Sequence, residues 1–399
     1  MKDSYLKAQL DRVDWDFRDY VPGVRTSGIH ALHWYPAPFP VPLVATLVDV
    51  LAGADATVVD PFSGSGVVPI EAWLRGCRSV AGDIVDVAIR LSQAKVTLLH
   101  RHDLETEHIC RAITDAVQRA RQLKFEGMDL DAVCAEYGIR QEAKRYFSPA
   151  VLVEIAFAKE ACLQLAPDAC QIAAAVLSAL LHEVSAMREV HHSYIVDRSL
   201  PKVPATTHVD VERTFRTRIW RAKSAADLAR QDIELSRAKV QTHRPVIDKA
   251  DAVQFLRRHT GAADLVLTSP PYFGMQDYTR AHYLSELVFP TESFDADINA
   301  EIGARRRRRS LADAEAYLKY MSAWFVAARE ALASDGTAVL VIGESKSAIA
   351  RQVAPLRSLE VIAMSSGLRF VWRGQRRVLF RKVHHRVDAS EQIWVLRAE

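Results

Sequence analysis

The chain is poor in cysteine, and no two cysteines stand in a C-x-x-C spacing. Cys77, Cys110, Cys134, Cys162 and Cys170 are scattered, and an odd number leaves one unmatched. A disulfide framework is therefore not expected, and a reducing cytoplasm is. No uninterrupted apolar run reaches the roughly 18 residues that a membrane span needs. Met1 to Tyr20 is charged and aromatic, without the apolar centre of a signal peptide. An excess of one charge is also lacking: Lys and Arg number 52 against 49 Asp and Glu, a formal net charge of +3. The overall balance names no partner, so local clusters must. Gly/Ser, Gln and Pro-rich tracts and internal repeats are missing too, while an apolar content of 49% is ample for a packed core.

Two catalytic signatures fail as well. His182-Glu183 invites a metal reading with His191 and His192, but Ala186 occupies the position where H-E-x-x-H needs its second histidine. The glycine loop at Asp60 to Gly66 is not followed by Gly-Lys-Ser/Thr, so it is no triphosphate cradle.

What is present falls into three stretches: 1–100, 101–245 and 246–399. In the first, Ala56 to Asp60 is an apolar β-branched run that stops at Asp-Pro, and Ser79 to Asp83 is a second run ending on an acid. Between them lie the glycine loop and a helical stretch, Val67 to Arg75, with Gly76 placed to end it. The pattern is a βαβ unit of a parallel sheet. In the second stretch, apolar residues recur at helical spacing through Ile109 to Leu123, Val151 to Leu165 and Ile172 to Met187, and Val211 to Val240 reads as a long basic amphipathic helix. This is a mainly helical insertion. The third returns to α/β: strands over Asp264 to Thr268 and Thr337 to Ile342, a helix over Leu311 to Ala333, and strands over Leu368 to Arg373, Val378 to Arg381 and Gln392 to Leu396. The expected fold is α/β, a doubly wound sheet with a helical insertion.

Two loops carry the chemistry. Asp60-Pro61-Phe62-Ser63-Gly64-Ser65-Gly66 comes off a strand and opens a helix, so its glycines let the backbone pass close beneath a ligand at a helix N-terminus. Asp83, followed by Ile84, stands at the end of the next strand, where such folds place an acid that accepts from ribose hydroxyls; it also suits a plain helix cap. The pair argues for a nucleoside-containing cofactor. Thr268-Ser269-Pro270-Pro271-Tyr272 follows the strand Asp264 to Leu267. Its prolines fix φ and remove two N–H donors, leaving a hydroxyl, carbonyls and an aromatic face at one place. That suits a planar ligand bearing an NH₂ group, although a rigid turn with a packed Tyr has the same sequence.

Taken together, the two loops resemble the amino-methyltransferases of DNA. Asp60 to Gly66 is similar to their S-adenosylmethionine (AdoMet) loop, and Ser269-Pro-Pro-Tyr272 to their catalytic motif. The resemblance takes in His33-Trp34-Tyr35-Pro36-Ala37-Pro38-Phe39, Asp251-Ala252 and Asp277-Tyr278-Thr279-Arg280-Ala281-His282. It implies a Rossmann-like class I AdoMet-dependent sheet. Tyr35, Pro36, Asp60, Pro61, Phe62, Gly64, Ser65, Gly66, Asp83, Ile84, Asp251, Ala252 and Thr268 would hold the cofactor; Ser269, Pro270, Pro271 and Tyr272 would form the catalytic centre. A leading Ser is the usual form in cytosine-N4 enzymes and Asp or Asn in adenine-N6 enzymes, so N4 of cytosine is the first expectation for the target. No Pro-Cys dipeptide exists, which excludes the nucleophilic cysteine of carbon-5 methylation. In this family the commonest cytosine-N4 arrangement has the catalytic motif first; here the AdoMet loop comes first, with the insertion between.

The resemblance implies that Ser269 and the Pro270 carbonyl accept hydrogen bonds from the amine, and that Tyr272 stacks on a base flipped out of the duplex. Arg305, Arg306, Arg307, Arg308 and Arg309 form a run in an expected loop, and Arg373, Arg376, Arg377 and Arg381 stand near Phe370, Trp372 and Phe380. Both clusters are read as phosphate contacts to DNA. A paired restriction endonuclease is a candidate partner. Two other readings stay open: an RNA amino-methyltransferase, because Pro69-Ile70-Glu71-Ala72 also looks like tRNA guanine-N2 enzymes, and a non-enzymatic DNA-binding subunit that keeps the fold.

Overall fold

The apolar runs become strands of one sheet. The computed structural model describes residues 3–17, 28–101, 105–123, 127–187, 209–235, 244–343, 355–382 and 385–399. Its strands are β1 (Thr57–Asp60), β2 (Arg78–Asp83), β3 (Val246–Lys249), β4 (Ala263–Thr268), β5 (Leu332–Gly343), β6 (Leu368–Lys382) and β7 (His385–Ala398). They form a seven-stranded sheet in the order β3-β2-β1-β4-β5-β7-β6. The first five pair in parallel, and β7 runs antiparallel to both β5 and β6. The dinucleotide-binding form of this topology has β6 directly beside β5; here β7 is set between them.

The helices are α1 (Asp3–Leu10), α2 (Val41–Leu51), α3 (Val67–Leu74), α4 (Asp86–His100), α5 (Thr106–Arg121), α6 (Leu130–Glu136), α7 (Pro149–Leu163), α8 (Pro167–Val184), α9 (Val211–Leu235), α10 (Ala252–Arg258), α11 (Tyr278–Ala281), α12 (Tyr283–Val288), α13 (Phe294–Ala300), α14 (Leu311–Ala331) and α15 (Leu356–Ser365). Strand periodicity divides them between the two faces of the sheet. Val339 and Val341 of β5 pack with α1, α2 and α3, while Ala338, Leu340 and Ile342 pack with α10, α14 and α15. Each fully buried valine or leucine in this alternation contributes roughly 1.5–3 kcal/mol.

Between α4 and β3 the described residues are helices and turns without a strand. They have no core of their own. Ile109, Leu152, Leu177 and Phe215 share one apolar cluster with Leu91 and Leu98 of α4 and with Ile70 and Trp73 of α3. Buried Glu154 on α7 is tied to Arg121 of α5, Nε to Oε1 3.0 Å, and Arg121 also reaches Asp210, ahead of α9, at 2.7 Å. No described helix is long and apolar enough to cross a membrane.

The hairpin at the C-terminal end differs from expectation. Arg373-Gly374-Gln375-Arg376 reads as a turn between two short strands, yet β6 runs unbroken through it, opposite β7 from Leu368↔Ala398 to Lys382↔His385. Gly374 permits this because a Cβ there would come 2.1 Å from the Trp372 ring. β3 also escapes the apolar-run criterion. It is a four-residue edge strand whose Val246 and Lys249 are exposed, so it is recognised only by pairing with β2.

Candidate functional site

The strand order reverses between β1 and β4, and in open α/β sheets ligands bind in the crevice beyond the strand ends at such a point. β1 ends at Asp60 and β4 at Thr268. The Thr268 hydroxyl donates to Asp60 Oδ1 at 2.6 Å, so two loops 208 residues apart in sequence are joined at their roots.

Four side chains hold the glycine loop from behind. Phe62 N–H donates to Asp60 Oδ1 (3.1 Å) and Gly64 N–H to Asp83 Oδ2 (2.8 Å). From α4, Ser92 Oγ donates to the Gly64 carbonyl (3.0 Å) and the fully buried Lys95 Nζ to that of Ser65 (2.7 Å). Gly66, the residue capping α3, has φ of +79°, and a Cβ there would lie 2.6 Å from Ser92 Oγ. Val85 is the N-cap of α4 and has no side-chain cap bond, so Asp83 is not the plain helix cap that the sequence also allows. Its Oδ1 accepts from Val85 N–H (2.9 Å) ahead of α4, and it borders the crevice with lone pairs to spare.

The opposite wall is the Ser-Pro-Pro-Tyr loop. Tyr317 of α14 donates to the Pro271 carbonyl at 3.1 Å, and the Tyr272 hydroxyl donates toward two acceptors, the Val341 carbonyl near the end of β5 (3.2 Å) and Glu391 Oε1 midway along β7 (3.1 Å). Ser269 Oγ lies 3.1 Å from that hydroxyl. Asp251 caps α10 through Val253 and Gln254 N–H, and its Oδ2 accepts from Tyr320 at 2.6 Å.

Between these walls lies a cleft of about 840 Å³, open mouth included. Of the residues singled out from the sequence, Tyr35, Pro61, Phe62, Gly64, Ser65, Asp83, Ile84, Asp251, Ala252, Ser269 and Pro271 line it. Asp60 and Thr268 lie beneath it as a buried pair, and Gly66 backs onto Ser92. Pro36, Pro270 and Tyr272 do not line it; Pro270 is buried and Tyr272 half-buried beside Ser269. Ala37, Pro38 and Phe39 take the place expected of Pro36, with Ala37 at a φ of +46°. Tyr35 stacks on Tyr278 with centroids 6.2 Å apart and packs against His282 at 5.1 Å.

Glu301, Tyr278 and Tyr320 are additional lining residues. Glu301 is 3% exposed and accepts from the backbone N–H of Tyr278 (2.6 Å) and Thr279 (3.3 Å). Burial pushes the carboxyl groups of Asp60 and Glu301 up to about 7 and that of Asp83 up to about 6. Burial also lowers Lys95 to about 7. Asp83 and Glu301 border the cleft with Asp60 beneath it, and buried acids there favour a cationic ligand, which would recover part of their desolvation cost.

The arginines are placed less uniformly than the sequence implies. Arg305–Arg307 is a short 3-10 helix rather than a loop, and Arg306 turns inward to Asp277 (3.1 Å), Glu301 (3.6 Å) and the Ile298 carbonyl. Arg307 is tied to the Asn299 carbonyl at 2.9 Å, whereas Arg305 and Arg309 are exposed. Arg376 is only 4% exposed and pairs with Glu391, Nε to Oε2 2.9 Å, so its charge is balanced inside the protein. Arg373 stacks over Phe370 at 3.7 Å and pairs with Glu360, and Arg377 is exposed beside Asp16. His182 and Glu183 lie at the end of α8, with Glu183 bound to Arg218; His191 and His192 lie outside the described residues. Among the described residues no cluster of His, Cys, Asp or Glu could hold a metal ion. No protein-family model matches the chain, and no curated protein matches it.

Proposed function

We propose that this chain is an AdoMet-dependent nucleic-acid methyltransferase acting on an exocyclic amine, with N4 of cytosine in DNA as the target. The single observation that carries the reading is the meeting of the glycine loop and Ser269-Pro-Pro-Tyr272 across one cleft at the switch point of the sheet. The residues fit the cofactor. Gly64 and Ser65 line the cleft, Asp83 has acceptors for ribose hydroxyls, and Asp83 and Glu301 suit a ligand carrying a sulfonium and an ammonium group. When bound, AdoMet supplies an electrophilic methyl group.

The protein's part is to make a poor nucleophile good. An amine on a pyrimidine ring delocalises its lone pair, and hydrogen bonds to its N–H groups turn that pair out of conjugation. The resemblance gives one of them to Ser269, which lines the cleft, and the other to the Pro270 carbonyl. Positioning and preorganised acceptors supply the acceleration, with no strong base required before attack. The resemblance also stacks the base on Tyr272; in this fold Tyr272 stands half-buried beside Ser269, outside the cleft lining, with its hydroxyl on Glu391 and the Val341 carbonyl.

The stretch that looked like tRNA guanine-N2 enzymes has a packing explanation here. Ile70 and Ala72 are core residues, and Glu71 binds His30 (2.8 Å) and Arg75 (2.7 Å). The deciding experiment is incubation with AdoMet and plasmid DNA or total RNA, followed by mass spectrometry of nucleosides. N4-methylcytosine in DNA is the expected product. N6-methyladenine would move the target base, product in RNA alone would overturn the choice of DNA, and an absence of AdoMet binding would favour the non-enzymatic subunit.

A further inference from the structure

We propose that Ser269, Tyr272 and Glu391 form the route by which the methylated amine loses its proton, with the Glu391 carboxylate as terminal acceptor. This rests on the reading of the cleft as an amino-methyltransferase site.

The direction of the hydrogen bonds follows from counting protons. A phenol has one proton, whereas a carbonyl and an ionised carboxylate only accept. The Tyr272 hydroxyl faces two such acceptors on its far side, Glu391 Oε1 at 3.1 Å and the Val341 carbonyl at 3.2 Å. Its proton therefore points away from Ser269, and in the 3.1 Å contact between the two hydroxyls serine is the donor. Two consequences follow. Ser269 keeps its lone pairs for the cleft, where the amine needs an acceptor. Every O–H along the route already points from the cleft toward Glu391.

As the methyl group is transferred the nitrogen develops a positive charge, and its surplus proton leaves in the same step. The N–H bond breaks and its electron pair stays on nitrogen. The proton passes to Ser269 Oγ as the serine proton moves to Tyr272 Oη and the tyrosine proton to Glu391 Oε1. Serine and tyrosine end as neutral as they began, and the carboxylate becomes a carboxylic acid. The Glu391 side chain is 17% exposed, so water can recover the proton.

Residues just after β4, at the end of β5 and midway along β7 build the route. Ser269 and Tyr272 follow β4. Gly343 at the end of β5 leaves room, since a Cβ there would lie 2.8 Å from Tyr272 Cε2 and 3.3 Å from Glu391 Cγ. Glu391 of β7 stands across from Gly343 on one side and Arg376 of β6 on the other, and Arg376 Nε holds the second carboxylate oxygen at 2.9 Å. The titratable groups around Tyr272 are Glu391 and Tyr278, and burial together with the charge of Glu391 holds the phenol well above its ordinary range, as a neutral relay requires.

The test is single-turnover transfer of a labelled methyl group from AdoMet to plasmid DNA, in H₂O and D₂O, with Glu391→Gln and Glu391→Asp. Glu391→Gln, which keeps shape but accepts no proton, should slow transfer by about tenfold or more, change the solvent isotope effect and leave AdoMet affinity unchanged. Glu391→Asp should recover part of the rate. Transfer by Glu391→Gln at the wild-type rate would overturn the route, as would a loss of AdoMet affinity that accounts for the slower rate. Plasmid DNA taking up no methyl group in the wild type would instead sink the reading of the cleft as a DNA methyltransferase site. A second readout needs no activity: carbon NMR of Cζ-labelled tyrosine, with the Tyr272 signal identified by its loss in Tyr272→Phe. Tyr272 should ionise at lower pH in Glu391→Gln than in the wild type, and identical titrations would show that Glu391 does not hold the phenol proton.

Discussion

Gly66 and Ser92 approach so closely that one methyl group separates a working loop from a displaced one. A Cβ at Gly66 would lie 2.6 Å from Ser92 Oγ and 3.2 Å from its Cα, at a φ of +79° that L side chains resist. Gly66→Ala should cost about 1–3 kcal/mol of stability in backbone strain and weaken AdoMet binding further, because moving Ser92 frees the Gly64 carbonyl that it holds. Thermal unfolding and calorimetry would read the two effects separately; unchanged AdoMet affinity would show that loop shape does not matter to the ligand. The buried acids give a second prediction at this scale. Asp60, Asp83 and Glu301 hold their protons to about 7, 6 and 7 in the folded chain against ordinary values of 3.8, 3.8 and 4.5. The folded state thus binds more protons than the unfolded one in this window. The contribution of these groups to stability is at its greatest below the ordinary values and falls as pH rises through 6 to 7. A bound cation favours the ionised forms, so AdoMet binding should release protons near pH 6–7. Calorimetry in buffers of differing ionisation heat would detect this, and a binding heat independent of buffer would contradict it. Asp83 and Ser269 were legible in the sequence because each sits at a fixed offset from a buried strand. Glu301 was not. Its partners are backbone groups of Tyr278 and Thr279, more than twenty residues away, and no spacing rule links them.

The elements that the sequence shows most clearly are those buried on both faces. The runs Val58-Val59 in β1, Leu265 to Leu267 in β4 and Ala338 to Ile342 in β5 are apolar without a break, as expected of a parallel sheet covered by helices. β6 and β7 are less legible because their pairing extends beyond the apolar core into a hairpin whose Arg-Gly-Gln resembles a turn. The arginine run shows the same limit: five like charges in sequence suggest one surface, whereas the 3-10 turn sends Arg306 inward to Asp277 and leaves Arg305 and Arg309 outward. The prediction therefore narrows. Replacing Arg305, Arg308 and Arg309 by Gln should weaken plasmid binding and reduce the slope of log affinity against log salt by about 0.9 for each phosphate no longer neutralised. Replacing Arg306 should instead lower the melting temperature, since it strands Asp277 and Glu301 in a buried site. An unchanged salt slope in the triple variant would identify these arginines as a solvated surface.

At the scale of the whole molecule, the helical stretch between α4 and β3 is an insertion in sequence but not in packing. Periodicity reveals helices there and is silent on what their apolar faces cover, so the shared core was the part least legible in the sequence. Ile109, Leu152, Leu177 and Phe215 are fully buried in a cluster that includes α4, the helix whose Ser92 and Lys95 hold the glycine loop. Helices that lean on α4 cannot come loose without exposing it, and a displaced α4 gives up its grip on the Gly64 and Ser65 carbonyls. Binding at the cleft should therefore stabilise α7 and α8 as much as the sheet. At a ligand concentration 100 times its dissociation constant, the gain is about 2.7 kcal/mol, a slowing of hydrogen exchange by roughly 100-fold wherever exchange requires global opening. Hydrogen exchange with mass readout should show equal added protection in peptides from α7, α8, β4 and β5. Protection confined to the strands would mean that the helices open on their own, as a separate cooperative unit resting on the α/β core.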